Sequence, residues 1–391
     1  METEVAAGRL RPTWAEIDLG AIRQNASLLS RVAAPAQLCA VVKAGGYGHG
    51  AADAARAALD GGASWLAVAL VEEGMELRAA GIDAPILLLS EPVAVAMPEV
   101  VASRLTPTVY SREGLNALTA AAASRRGTGA GASPEGLPVH VKVDTGMHRV
   151  GAAPAEAVEL AASVASTRGL RLEGFWTHLA VSDELENPYT GAQLDRFDGA
   201  CGRLHQRGVE PPLLHAANSA AALWHPRSRY GMVRCGISLY GLAPAGELAG
   251  REPATGLRPA MALKARVSYV KEVAAGERLS YGLRYRLDRD SVIATVPVGY
   301  ADGVTRMLSA KGGQVLVGGR RCPVAGTVTM DQILVDCGPG ATVRRGDEVV
   351  LLGSQGDQAI TAWEWAERVG TIAYEVVCGV SGRVPRLYLG G

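Results

Sequence analysis

Between residues 37 and 241, short apolar runs of strand-forming residues alternate with Ala-rich stretches suited to helices, and this alternation constrains the fold more than any other feature of the chain. Eight such runs stand at 38–42, 65–69, 86–89, 105–109, 139–143, 170–176, 213–216 and 232–235. Parallel strands need crossover helices, and eight βα units in succession predict an α/β fold of the closed TIM (β/α)8 barrel type. A barrel of this kind gathers its chemistry at the C-terminal ends of its strands. The stretch AAAASRRGTGAGASPEG at 120–136 is low in complexity and is expected to be a loop or a short insertion.

After about residue 242 the texture changes to strands without long helices, at 262–273, 291–298, 314–317, 333–336 and 348–352. This predicts a barrel over 20–242 and a separate β-rich domain over 1–19 and 243–391, with 13–18 adding a strand to the latter. A helix is expected at 361–369, opening on a Thr cap and ending before Gly370. A length of 391 residues suits two domains, and 48% hydrophobic with 20% charged residues suits a globular chain. Lys and Arg balance Asp and Glu at 39 each, which gives no general attraction to nucleic acid or an anionic membrane. The opening METEVAAGRLRPTWAEIDL lacks a basic region followed by an apolar one, and no later run is long enough to span a bilayer, so a cytoplasmic protein is expected. Cys39, Cys201, Cys235, Cys322, Cys337 and Cys378 stand singly, without zinc spacing, which fits reduced thiols and no metal.

Five motifs fall at predicted strand ends. They are AVVKAGGYGHG (40–50), VKVDTGMHRVG (141–151), FWTHLAVSD (175–183), HAANSAA (215–221) and MVRCGISLYG (232–241). Lys43 follows the first strand, where barrels place reactive groups, and the glycines after it let backbone approach a ligand. Asn218, Ser219, Gly236 and Ile237 follow strands seven and eight, a common phosphate site in barrels, although an Asn-Ser pair equally suits a helix cap. Arg234 lies within a strand, where a charge is rarely left without a partner, be it a structural ion pair or a ligand. His178 by residue type alone is a core histidine, and Tyr281 in RLSYGLRYR (278–286) a half-buried packing residue.

Together with GYADGVTRML (299–308), VAGTVTMDQILVD (324–336) and AYEVVCGVSGRVPR (373–386), these motifs resemble the alanine racemases in order and over nearly the whole chain. The resemblance implies a pyridoxal 5'-phosphate enzyme that interconverts L- and D-alanine through an imine of the cofactor, with D-alanine serving peptidoglycan synthesis. It implies Lys43 as the lysine that binds the cofactor covalently and as one catalytic base, and Tyr281 as the other. It assigns Tyr47, Asn218, Ser219, Gly236, Ile237 and Tyr374 to the cofactor phosphate, Arg234 to its ring nitrogen, and His178 to a link between that arginine and the tyrosine. Arg149 and Met330 match substrate contacts, and Lys142 a lysine that braces Arg149 and is carbamylated in some members. A head-to-tail homodimer with shared active sites is implied as well. Two departures stand out. Gly45 and Gly46 replace the Asn or Asp and Ala usual in the family, and Thr327 replaces an arginine that lines the entry corridor in relatives. A racemase of broader range, a decarboxylase of the same architecture and a non-catalytic cofactor-binding barrel are the competing readings, and the SYG and MDQ segments match racemases better than the decarboxylases.

Overall fold

The structure is a computed structural model, and it describes residues 10–127 and 136–390. It divides into two units, residues 21–259 and residues 1–20 with 260–391.

In the first unit all eight apolar runs are strands, and every pairing among them is parallel. Ile86–Leu88, Trp65–Val68, Gln37–Val41 and Met232–Cys235 form one half, in that order, and Thr108–Val109, Leu137–Lys142, Leu170–Trp176 and Leu213–His215 the other. The halves join through a parallel bridge between Leu87 and Thr106. On the other side Gly231 N donates to Leu214 O at 3.0 Å and Arg234 N to Ala217 O at 3.0 Å, which closes the barrel. The intervening helices bury small residues against it, as Ala54, Ala55, Ala57 and Ala58 do in Ala51–Asp60. Helix Arg112–Gly127 takes in much of the stretch expected to be a loop, since its alanines favour helix and Thr119 and Ser124 bond back to Leu115 O and Ala120 O. Of the rest of that stretch, 128–135 lies outside the described residues, and Gly136 leads into the next strand.

The segment 243–259, expected on texture to join the β-rich part, packs with the barrel unit instead. Asn25, fully buried on helix Leu19–Ala33, explains why. Its Nδ2 donates to Leu239 O at 3.1 Å and Arg258 O at 2.8 Å, and its Oδ1 accepts from Arg258 N at 2.9 Å.

The second unit contains a seven-stranded sheet. Arg320–Pro323, Gln314–Val317, Glu348–Gln355, Met261–Arg266, Thr13–Asp18 and Arg386–Leu389 lie in that order, with Gln358–Ile360 paired to Glu348–Gln355. Thr13–Asp18 therefore supplies the extra strand that its sequence suggests. The run expected as one strand over 262–273 is two, because at Val267–Ser268 the chain changes partners. Val267 N donates to Asp347 O, and Ser268 N to Thr295 O. Tyr269–Val273 then belongs to a three-stranded sheet with Ser291–Val296 and Ile333–Asp336. Thr361 caps helix Ala362–Val369 as expected, its side chain accepting from Glu364 N at 3.0 Å.

Replacing Asn25 with Ala removes the partner of the part-buried Arg258 N–H and C=O and of the buried Leu239 C=O. The expected cost is about 3 kcal/mol of unfolding free energy, read as a shifted urea midpoint at unchanged slope. A midpoint within error of wild type would show that this staple is dispensable.

Candidate active site

The first barrel strand is buried from Leu38 onward, and Val42 N donates to Ala67 O of the neighbouring strand at 2.9 Å. Lys43 is the next residue. Beyond it the backbone turns left-handed, with φ of 53° at Ala44, 60° at Gly45, 64° at Gly46 and 52° at Tyr47. Gly45 and Gly46 take this region without the steric cost a side chain would add. The turn is closed by Gly46 N to Val42 O, Gly48 N to Ala44 O and Gly50 N to Gly45 O. Glu73 holds it from outside: one carboxylate oxygen accepts from Ala44 N at 2.6 Å, the other from Ala69 N at 2.9 Å and Leu70 N at 3.1 Å.

Tyr47 is buried, its ring 5.0 Å from that of Tyr240, whose hydroxyl donates to Val41 O. The Tyr47 hydroxyl meets the loop after strand eight. A methyl group placed on Gly236 would lie 2.3 Å from it, so the absence of a side chain at 236 is what lets the hydroxyl come this close to the backbone. Ser219 Oγ accepts from Gly236 N at 3.0 Å, and Ile237 is buried next in the chain. Asn218 caps helix Ser219–Trp224 by accepting from Ala221 N, and also accepts from Ser182 Oγ at 2.8 Å. Tyr47, Ser219 and Gly236 thus line one small polar cradle.

Arg234, only 3% exposed, is engaged inside the barrel through both of its terminal nitrogens. It donates to His215 Nδ1 at 2.8 Å, Thr177 O at 2.8 Å, Ala216 O at 3.1 Å and His178 Nδ1 at 3.2 Å. Burial lowers it to about 10, so it keeps its charge at neutral pH. Since a guanidinium only donates, both imidazoles present a lone pair at Nδ1 and carry their proton on Nε2. His215 Nε2 lies 2.9 Å from His140 Nδ1, which passes the pattern on. His140 Nε2 faces Glu173 at 3.8 Å, and Glu173 accepts from Arg171 at 2.9 Å. His140 fits because strand pairing is bulged at Val139/His140 and because residue 174 is glycine, where a methyl would sit 2.4 Å from the imidazole.

Lys142 is buried, with its Nζ 4.4 Å from the centre of the Trp176 ring, and the Arg234 guanidinium lies at 4.4 Å from the same ring. Burial first, then the charges of Arg234 and Arg149, bring Lys142 down to about 7 against the pull of Asp144, and Lys43 adds to the lowering. His178 is held well below the ordinary histidine range by burial and by Arg234, Lys142, Arg149 and Lys43. Lys43, Lys142, Arg149, His178 and Arg234 therefore share one electrostatic environment. Arg149 is exposed at the end of a loop that Asp144 organises by accepting from Gly146 N and His148 N.

In the β-rich unit, hairpin Arg278–Leu279 and Tyr285–Arg286 carries Tyr281 at its tip, 74% exposed. Tyr281 borders a cleft of about 330 Å³ with Ser280, Thr327, Thr329 and Gln332. Met330 belongs to the same loop as Thr327, and its carbonyl accepts from Ala301 N at 3.1 Å. Tyr374 is not among the residues lining that cleft. It stands half-buried on helix Ala373–Cys378. Reasoning from sequence passed over His140, His215, Glu173 and Glu73. The available signal was their position as polar residues inside or just after apolar strands.

The family described as "Alanine racemase, N-terminal domain" matches residues 17–244, and "Alanine racemase, C-terminal domain" matches residues 260–388. The alanine racemase of Symbiobacterium thermophilum is 48% identical over 381 residues, covering 97% of this chain and 98% of that protein. The crystal structure of alanine racemase from D-cycloserine-producing Streptomyces lavendulae superposes with a TM-score of 0.90 at 40% identity, covering 98% of each chain. That of the Bacillus anthracis enzyme with bound L-Ala-P gives 0.88 at 37% identity, covering 98% of this chain and 96% of the other.

Burial first, and the Arg234 charge with it, keeps His178 and His215 neutral, and burial outweighs Glu173 to do the same for His140. In the unfolded chain these imidazoles take up protons below about pH 6.5, whereas in the fold they do so only at lower pH. The stability that these three neutral histidines contribute is therefore complete above about pH 6.5 and falls as pH drops from there toward the depressed folded values, by up to about 1.4 kcal/mol per pH unit per histidine. Thermal melts should show Tm falling between about pH 7 and about pH 5.5, and a flat profile there would contradict this charge assignment.

Proposed function

The chain belongs to the alanine racemase family and is a racemase, and on that premise we propose that it interconverts L- and D-alanine with bound pyridoxal 5'-phosphate, using Lys43 and Tyr281 as its two bases. The observation that carries this reading is the convergence of Lys43, Lys142, Arg149 and Arg234 in one environment with the cradle of Tyr47, Ser219 and Gly236. That set suits a ligand with a phosphate at one end and a carboxylate near the other. A tyrosine hydroxyl brought against a glycine backbone, beside the Ser219 hydroxyl on Gly236 N, gathers the close-set polar groups a phosphate needs, so the residues present fit the cofactor.

Lys43 would hold the cofactor covalently. Tyr47, Asn218, Ser219, Gly236, Ile237 and Tyr374 would hold its phosphate, with Arg234 and His178 toward its ring. When bound, the cofactor supplies an electron sink that acidifies the α-carbon of the amino acid joined to it. The chain's own residues do the rest. Racemisation has products of equal energy, and a base that returned a proton to the face it came from would change nothing, so one base is needed on each face. Lys43 takes the proton from D-alanine and Tyr281 from L-alanine. Arg149, with Met330 through its backbone, orients the substrate carboxylate. Arg234 stays charged and has no proton to release at neutral pH, so it would withhold full protonation from a ring nitrogen held against it.

We place Lys43 of one copy with Tyr281 of a second in a head-to-tail homodimer. Exposed Tyr281 (74%), Leu283 (55%) and Met330 (52%) in the β-rich unit support this, as apolar surface that a second copy would cover. The cysteines are free, which fits the cytoplasm, and no helix among the described residues is long and apolar enough to cross a membrane. D-alanine for peptidoglycan is the role that follows.

Purified protein should bring L-alanine to an equal mixture of enantiomers without releasing CO₂, and Lys43→Ala or Tyr281→Ala should each abolish this. When the two inactive variants are dissociated, mixed equally and reassembled, about half the dimers are mixed and each holds one intact site, so activity should return to about a quarter of wild type. CO₂ release would favour a decarboxylase, and a well-folded mixture without recovery would place both bases on one chain.

Lys142, neutral in much of the population at pH 8 because of its lowered pKa of about 7, is a nucleophile toward CO₂. Its amine would gain the carbon and lose a proton, leaving an anion to brace Arg149. Adding ¹³C-bicarbonate should give one carbamate resonance in wild type and none in Lys142→Ala, and its absence from wild type would refute the modification.

A further inference from the structure

Tyr281 is aimed by backbone rather than by packing, since most of its side chain is exposed. That backbone is unusual. Ser280 has φ 62° and ψ −175°, a region entered almost only by glycine, and Gly282 and Leu283 follow at φ 75° and 50°. Conformations of this kind persist only when their surroundings hold them. Two reciprocal hydrogen bonds do so here. Ser280 Oγ donates to Thr327 O at 2.7 Å, and Thr327 Oγ1 donates to Tyr281 O at 2.8 Å. The second bond falls on the carbonyl of Tyr281 itself, and its donor stands where the resemblance leads one to expect arginine.

We propose that Thr327 is a positioning residue for Tyr281, its hydroxyl completing a two-bond clasp that holds the strained turn in the conformation presenting the phenol. This rests on the reading of Tyr281 as a base. The hairpin has further supports that leave Thr327 out: Arg278 Nη1 donates to Leu283 O at 2.9 Å, and Tyr285 Oη to Asp336 Oδ2 at 3.0 Å. Loss of the hydroxyl should therefore loosen the tip without unfolding the domain.

The test compares Thr327→Val, which keeps the shape and removes the donor, with Thr327→Ser, which keeps the donor, both as full-length holoenzyme. Amide exchange at 281–283 should quicken about tenfold in Thr327→Val and stay at the wild-type rate in Thr327→Ser. Turnover of Thr327→Val should fall in both directions with KM little changed. The isotope effect with α-deuterated L-alanine should rise while that with α-deuterated D-alanine falls, because only the tyrosine's proton transfer is impaired. Exchange unchanged in Thr327→Val would overturn the clasp. Faster exchange with isotope effects that move together, or not at all, would overturn the positioning role. Tyr281→Phe is expected to be inactive, and wild-type turnover in it would overturn the base assignment and with it the positioning of a base, whatever the exchange rates show.

Discussion

A guanidinium buried inside a barrel must have its N–H groups satisfied, and Arg234 solves this by drawing two imidazoles and two carbonyls around it. Much of the interior follows from that one cation. Since Arg234 can only donate, His215 and His178 must both accept at Nδ1, and the proton left on His215 Nε2 must find an acceptor in His140. His140 in turn needs the bulge at Val139/His140 and the missing side chain at Gly174. Trp176 stacks against His215 with its ring nearly parallel, and its ring lies against Lys142 and Arg234 as well, an aromatic face that favours cations. The barrel core is thus polar at its centre, and its order depends on one residue retaining its charge.

Much of this was readable in the sequence where the physics is local. Eight apolar runs become eight strands because burying both faces of a parallel sheet demands them, and Lys43 and Arg234 lie at or beside strand ends where their motifs put them. The handedness of the turn after Lys43 was not readable: a Gly-Gly pair signals a turn, while its sense is decided by the packing around it. His140 stands between valines and reads as a strand residue of either face. Its meeting with His215 requires closure of the barrel, which brings together residues 75 apart. The helix through 120–127 was obscured by the Gly-rich text that follows it. Strands such as Gln358–Ile360 and Arg386–Leu389 are too short to carry an alternation at all. Thr327 shows the same limit from another side. Sequence registers a missing arginine, whereas the hydroxyl's partner lies 46 residues upstream and only the fold reveals it.

Glu73 carries an implication for how such a protein can be taken apart. Its carboxylate gathers the N–H groups of Ala44, Ala69 and Leu70, so the loop bearing Lys43 is fastened by the helix of the following βα unit rather than by its own. A βα unit is often treated as the exchangeable brick of a barrel. Here the brick that holds the reactive lysine is incomplete, because the mortar that sets its loop belongs to its neighbour. Grafting residues 37–60 alone onto another barrel would carry the lysine without its geometry, and the smallest transferable module extends at least through the helix Val71–Ala79.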